Sequence, residues 1–221
     1  MKDLEFLISS VRELGLELNP NKCELIFANV PTCDQSSVFE KFNVACKGLS
    51  VTKIEDLVIL GAPIGVDAAR HCLNAKLTKF DVFSSNLRKV DYHHAFFLLK
   101  NCLHVPKLLY TLRSAPCFFQ NELLQKIDTT VINSLESICN VRFDSCAQIQ
   151  AFLPVKLGGL GIASVMQLAP AAFLASVTGC RTLMQTLLNS QMNDHCFEIA
   201  LALWSLQVPE VVSPASAAQK E

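Results

Sequence analysis

The residues with the widest chemical range in this chain are its ten cysteines and five histidines. Cys23, Cys33, Cys46, Cys72, Cys102, Cys117, Cys139, Cys146, Cys180 and Cys196 include no C-x-x-C pair. Zinc sites are built on such close ligand pairs, so the spacing predicts no metal site. It predicts reduced thiols serving as small core hydrophobes. Tyr92-His93-His94 places two imidazoles side by side, but adjacent residues point apart on a helix. That triplet is expected to start a helix with partly buried rings and not to form a metal pair.

Two glycine turns and one helix face are further candidates. Leu60-Gly61-Ala62-Pro63 reads as an ordinary turn, or as a turn of small side chains where the backbone can approach a phosphate closely. The run LGGLG at Leu157 to Gly161 lacks the Lys-Ser/Thr of a P-loop and a clear strand before it, so a plain turn is expected. On a helical wheel, Arg70, Asn74, Thr78, Ser85, Arg88 and Lys89 fall opposite an apolar stripe. Arg70 and Arg88 are about five turns apart, roughly 27 Å, on the same side. Such a face can follow a nucleic-acid backbone or simply be solvated, and Asp81 in its middle weakens the first reading. Lys22, read by its spacing alone, is an exposed turn lysine.

The composition must supply a scaffold for these groups. At 221 residues and 51% hydrophobic, the chain can bury a core in one or two domains. Its formal net charge of −1 excludes a surface built throughout to hold nucleic acid. The charge is uneven, however: Lys53 to Arg113 carries nine Lys/Arg against five Asp/Glu, and both flanks are acidic. There is no apolar run of the length a membrane span needs, so no membrane partner is expected. Lys2, Asp3 and Glu5 interrupt what would be the apolar core of a signal peptide. A cytoplasmic or nuclear, non-secreted protein is the expectation.

Leu4, Leu7, Ile8, Val11 and Leu14 recur at helical spacing before Gly15, predicting a helix over Lys2 to Leu14 with one buried face. Short β-like runs follow at Leu16 to Leu18, Cys23 to Phe27, Phe39 to Val44, Leu49 to Ile54 and Leu57 to Leu60. After Gly65 the period becomes helical. Ala69, Leu73, Leu77, Phe80, Phe83, Leu87 and Val90 form one stripe, Ala95, Leu98, Leu99 and Cys102 another, and Pro106 suits a first turn through Leu112. Leu123, Leu124, Ile127, Val131, Ile132, Leu135 and Ile138 form a longer stripe, and further helices are expected over Ser164 to Val177 and His195 to Leu206. Residues from Val208 onward read as a disordered tail.

Four blocks resemble a known family in the same order. GLELNPNKCELIF, Gly15 to Phe27, is similar to the segment that follows the catalytic hairpin in reverse transcriptases of non-LTR (LINE-type) retrotransposons. DLVILGAPIG, Asp56 to Gly65, looks like their primer grip. AFFLLKNCLHVPKLLYTLRSAPC resembles their thumb helices, and LPVKLGGLGI resembles a loop after the thumb. The resemblance covers about Gly15 to Val165. It implies an α+β fold: a small antiparallel β remnant of a polymerase palm over residues 1–65, a helical thumb over 66–150, a helical extension over 151–207 and the tail over 208–221.

The departure from the family pattern matters equally. Family members carry an aromatic-x-Asp-Asp hairpin just upstream of the helix at Lys2 to Leu14, and an earlier Asp, which hold two Mg²⁺ ions for nucleotidyl transfer. Neither block is present, and Asp3, Glu5, Glu55 and Asp56 read as solvated charge. The resemblance therefore implies a partial RNA-directed DNA polymerase, inactive alone, with Mg²⁺ belonging to the parent enzyme and no cofactor in this chain. It gives Lys22 the role of a general acid toward the departing pyrophosphate once the missing palm is supplied. Leu60, Gly61, Ala62 and Pro63 become the primer grip, Arg70, Asn74, Arg88 and Lys89 contact an RNA/DNA template-primer, and uncovered palm strands favour self-association. The alternative expectation is a cytosolic helical scaffold that uses the thumb fold for protein contacts.

Overall fold

The computed structural model describes residues 2–28, 31–188 and 195–207. The chain packs as two units, one ending at Leu57 and the other beginning at Val58. The expected tail, 208–221, lies outside the described residues.

The first unit opens with α1, Lys2–Glu13. Its Leu4, Ile8 and Val11 are half-buried, but Leu7 and Leu14 are exposed, so the expected apolar face is only partly covered. Asn19 then caps a 3₁₀ turn, Pro20–Lys22, its side-chain oxygen accepting from the Asn21 N–H at 3.1 Å. The β content is small: β1, Glu24–Leu25, pairs in parallel with β2, Ser50–Val51. Helix α2, Thr32–Ala45, joins them as a crossover.

Three sequence expectations are corrected here. Phe39 to Val44 is not a strand but the second half of α2. Its β-branched and aromatic content suggested a strand, yet the half-buried positions include Gln35, Val38, Phe39 and Phe42, which is helical spacing. The pairing of this unit is also parallel, where an antiparallel remnant was expected, and Leu16 to Leu18 joins no strand. Only Cys46 and Leu49 are buried among the described residues of this unit.

The second unit starts with an antiparallel hairpin, β3 (Val58–Ile59) and β4 (Ala62–Pro63), in which Val58 faces Pro63 and Ile59 faces Ala62. Helices fill the remainder: α3 Val66–Leu87, α4 Tyr92–Leu98, α5 Val105–Ser114, α6 Asn121–Cys139, α7 Ser145–Phe152, α8 Val165–Leu188 and α9 His195–Gln207. A π-helical turn, Leu99–Leu103, interrupts what the sequence presents as one helix through Cys102. The described residues are thus mostly helical, with two very small sheets.

Helix α6 organises the core because its stripe runs the length of two apolar clusters. Leu124 and Ile127 pack with Leu73, Leu112, Phe118, Phe173, Leu174 and Trp204. One and two turns on, Val131, Ile132 and Leu135 pack with Phe80, Leu87, Leu99 and Ile162. Each such leucine or isoleucine withdrawn from water contributes about 1.5–3 kcal/mol. Asp128 lies between them on α6 and caps α8 across the fold, accepting from Ser164 Oγ at 2.6 Å, the Val165 N–H at 2.8 Å and the Met166 N–H at 3.3 Å. A carboxylate there satisfies orphan donors and meets the positive end of the helix dipole.

Candidate nucleic-acid interface

The β3–β4 hairpin turns on two residues, Leu60 and Gly61, with φ of 51° and 81°. Positive φ at both positions is what a tight hairpin of this hand requires, and glycine meets it freely. Leucine does not; holding its backbone there costs about 1–2 kcal/mol. The Leu60 side chain offers no packing in return, since the residue is 94% exposed. What holds the turn is α5: Tyr110 Oη donates to the Leu60 carbonyl at 2.9 Å. A Cβ on Gly61 would lie 3.7 Å from the same tyrosine ring. Pro63 is buried and Ala62 half-buried, so the base of the hairpin is anchored while its tip projects. An exposed apolar tip in strained backbone is a feature associated with ligand contact.

Lys22 ends the 3₁₀ turn in the first unit, exposed, its N–H bonded to the Asn19 carbonyl at 3.1 Å. The other expected site residues all belong to the second unit.

Along α3, Arg70 and Asn74 are exposed, and Arg88 and Lys89 follow directly after the last helical turn, also exposed. The face is not a bare row of cations. Arg70 pairs with Asp67 at 3.1 Å, and Lys89 Nζ donates to Asn86 Oδ1 at 3.1 Å. Both are surface pairs of about 1 kcal/mol or less, weak enough for a phosphate to displace. Arg88 opens onto a polar hollow of about 540 Å³ that it shares with Asn133, Glu136, Ser137, Asn140 and Arg142. Arg142 is 95% exposed and reaches Glu136 at 3.4 Å, while Glu136 also accepts the Phe143 N–H at 2.8 Å. The sequence reading missed this second arginine. Its only signal was Asn140, an Asn after a long helical stripe, which ends α6 in left-handed backbone and turns the chain back toward Arg88.

The remaining candidates resolve individually. In LGGLG, the N–H groups of Gly158, Gly159, Gly161 and Ile162 are bonded to the carbonyls of Val155, Pro154, Leu153 and Ala151, so these four are not free to cradle a phosphate. The loop is fastened to the π-turn by Lys100 Nζ, which donates to the Leu160 carbonyl at 2.9 Å. Asp91 starts α4 by accepting the His93 N–H at 3.0 Å, but Tyr92, His93 and His94 are exposed, not partly buried as expected.

None of the ten cysteines is in a disulfide. Of these, only Cys46 and Cys117 are buried, so the expectation of core thiols holds for two positions and fails for the exposed Cys33, Cys139, Cys146 and Cys180. Burial pushes the Cys117 thiol up to about 12, which keeps it protonated and unreactive.

The acidic residues do not fit a two-Mg²⁺ site. Asp3 and Glu5 are two apart on α1 and so diverge. Glu55 lies in a 3₁₀ turn, Ile54–Asp56, and pairs with Lys53 at 3.4 Å. Among the described residues no group of three or more His, Cys, Asp and Glu side chains is arranged to hold a metal ion. Also among them, no helix is long and apolar enough to cross a membrane.

No family model, curated protein or solved structure matches this chain.

Proposed function

We propose that the chain is the C-terminal part of a retroelement reverse transcriptase, the end of the palm followed by a helical thumb and extension. It retains parts that hold an RNA/DNA template-primer and does not polymerise alone. The observation that carries this reading is the hairpin tip: Leu60 and Gly61 project in left-handed backbone, braced from α5 by Tyr110. They do so at the place where the sequence resembles a primer grip. A leucine held there can lie against the sugar of a primer terminus. Arg70, Asn74, Arg88 and Lys89 would track the duplex backbone by displacing weak surface pairs, with Arg142 reinforcing Arg88.

Mg²⁺ would supply charge neutralisation and nucleophile activation in a parent enzyme, but the carboxylates described above do not fit that role. Lys22, on its exposed turn, acts as general acid only beside an upstream palm. The sparse burial of the first unit and its two-residue strand pairs leave apolar surface for self-association or for that palm to cover. A cytoplasmic or nuclear location accords with cysteines that are not joined in disulfides.

The test is template-directed dNTP incorporation on a primed RNA. The 221-residue chain should give none. In a chain extended upstream by an aromatic-x-Asp-Asp palm, Lys22→Ala should slow incorporation by about 10²-fold or more. Mg²⁺-dependent extension by the chain alone, or unaltered incorporation by the Lys22 variant, would contradict the proposal.

A further inference from the structure

A second concavity lies on the side of α3 turned away from Arg70. Lys76, Lys79, Phe80 and Phe83 recur at the i, i+3, i+4, i+7 positions that share one helix face. With Leu103 of the π-turn and Lys107 of α5 they line a groove of about 300 Å³. Its floor is apolar and includes Phe80, only 6% exposed, and Phe83, which keeps 37% of its surface open to the groove and solvent. Every charged residue lining it is a lysine. One of these is fixed: Lys76 Nζ donates to the Lys107 carbonyl at 2.9 Å and ties α3 to α5 at the groove wall. Lys79 and Lys107 are exposed at the edge.

This chemistry selects its occupant. A nucleobase placed on the floor would leave its donor groups unpaired, because the lining side chains offer ammonium donors and no acceptor. An apolar side chain has no such groups to satisfy, and carboxylates flanking it would meet the lysines. We propose that the groove between α3 and α5 docks a peptide segment of a partner protein in which leucine or phenylalanine anchors are flanked by glutamate or aspartate. The proposal is independent of the polymerase reading, since no residue of the groove belongs to the hairpin tip or to the Arg70–Arg88 face.

The test uses the full chain and a fluorescein-labelled peptide about four helical turns long, with Leu and Phe at helical spacing and Glu between them. Fluorescence anisotropy should report saturable binding. Lys79→Glu combined with Lys107→Glu should weaken it by about tenfold or more, and a peptide with Lys in place of Glu should bind that double variant better than it binds the original chain. Both lysines are exposed, and far-UV circular dichroism checks that the fold is kept. Should charge reversal disturb it, Lys79→Ala with a smaller loss of affinity carries the same test. Equal binding of an acidic peptide whose anchors are all Ala would overturn the proposal. So would affinity indifferent to the lysine substitutions, or displacement of the peptide by single-stranded RNA, which would assign the groove to nucleic acid.

Discussion

The Tyr110 hydroxyl, on α5, fixes the carbonyl of Leu60, fifty residues earlier at the tip of the β3–β4 hairpin, through a 2.9 Å hydrogen bond. The bond couples α5 to a strained turn, and its two ends make different predictions. Leu60→Gly should stabilise the chain by about 1 kcal/mol, because glycine carries no penalty at positive φ. The same change should weaken template-primer binding, because the projecting side chain is lost. Tyr110→Phe removes an exposed hydrogen bond and should cost no more than about 1 kcal/mol of stability while also weakening binding. Thermal melts run beside anisotropy titrations separate the two effects; a Leu60→Gly chain that melts higher and binds as well as the original would reduce the tip to a local irregularity.

His104 offers a pH test of the core. It is 1% exposed, its ring is tilted 52° to that of Phe80 with centroids 6.3 Å apart, and its Nε2 has no hydrogen-bond partner among the described residues. Burial lowers its pKa from 6.5 to about 4. The unfolded chain therefore binds the proton more readily, and this group's penalty grows as pH falls from about 6.5 to about 4 and is constant below that. The full shift corresponds to about 3 kcal/mol. Asp128 pulls the other way, since burial raises its carboxyl and favours the folded state at low pH. The expected result is thus a difference: urea unfolding across this range should show the original chain losing stability relative to His104→Leu as pH falls. Parallel stability curves would contradict the buried neutral imidazole.

Asp128 and Gly159 test the joints of the helical unit. Asp128→Ala removes the acceptor of the Ser164 hydroxyl and of two N–H groups at the start of α8, and should cost about 1–3 kcal/mol. Gly159→Ala would drive a Cβ into the Leu153 carbonyl oxygen, a backbone atom that cannot yield cheaply, so a loss of about 1–3 kcal/mol or more is expected. Gly179 is the control. It lies inside α8 with nothing within 4 Å of an added Cβ, so Gly179→Ala should stabilise by about 0.5–1 kcal/mol. Chemical denaturation of the three variants checks the order.

What could be read from the sequence followed from local periodicity. The stripe from Leu123 to Ile138 and the Pro106 start of α5 are properties of consecutive residues, and the structure places helices on both. Phe39 to Val44 misled because residue types favoured a strand while the burial spacing was helical. The π-turn at Leu99–Leu103 is a hydrogen-bonding shift that leaves no mark on the apolar stripe. Site geometry was least legible, because it depends on distant partners. Nothing near Leu60 announces Tyr110, nothing near Ser164 announces Asp128, and nothing near Arg88 announces that Arg142, beyond the Asn140 turn, lines the same hollow.

The central claim is that this chain holds nucleic acid through the α3 face. Its most direct test is the affinity of the full chain for an RNA–DNA hybrid duplex as a function of salt, with and without Arg70→Ala and Arg88→Ala together. The expected result is binding whose logarithmic salt slope falls by about two in the double variant, one for each phosphate contact removed. No measurable binding at low salt, or a slope unchanged by the two substitutions, would contradict it.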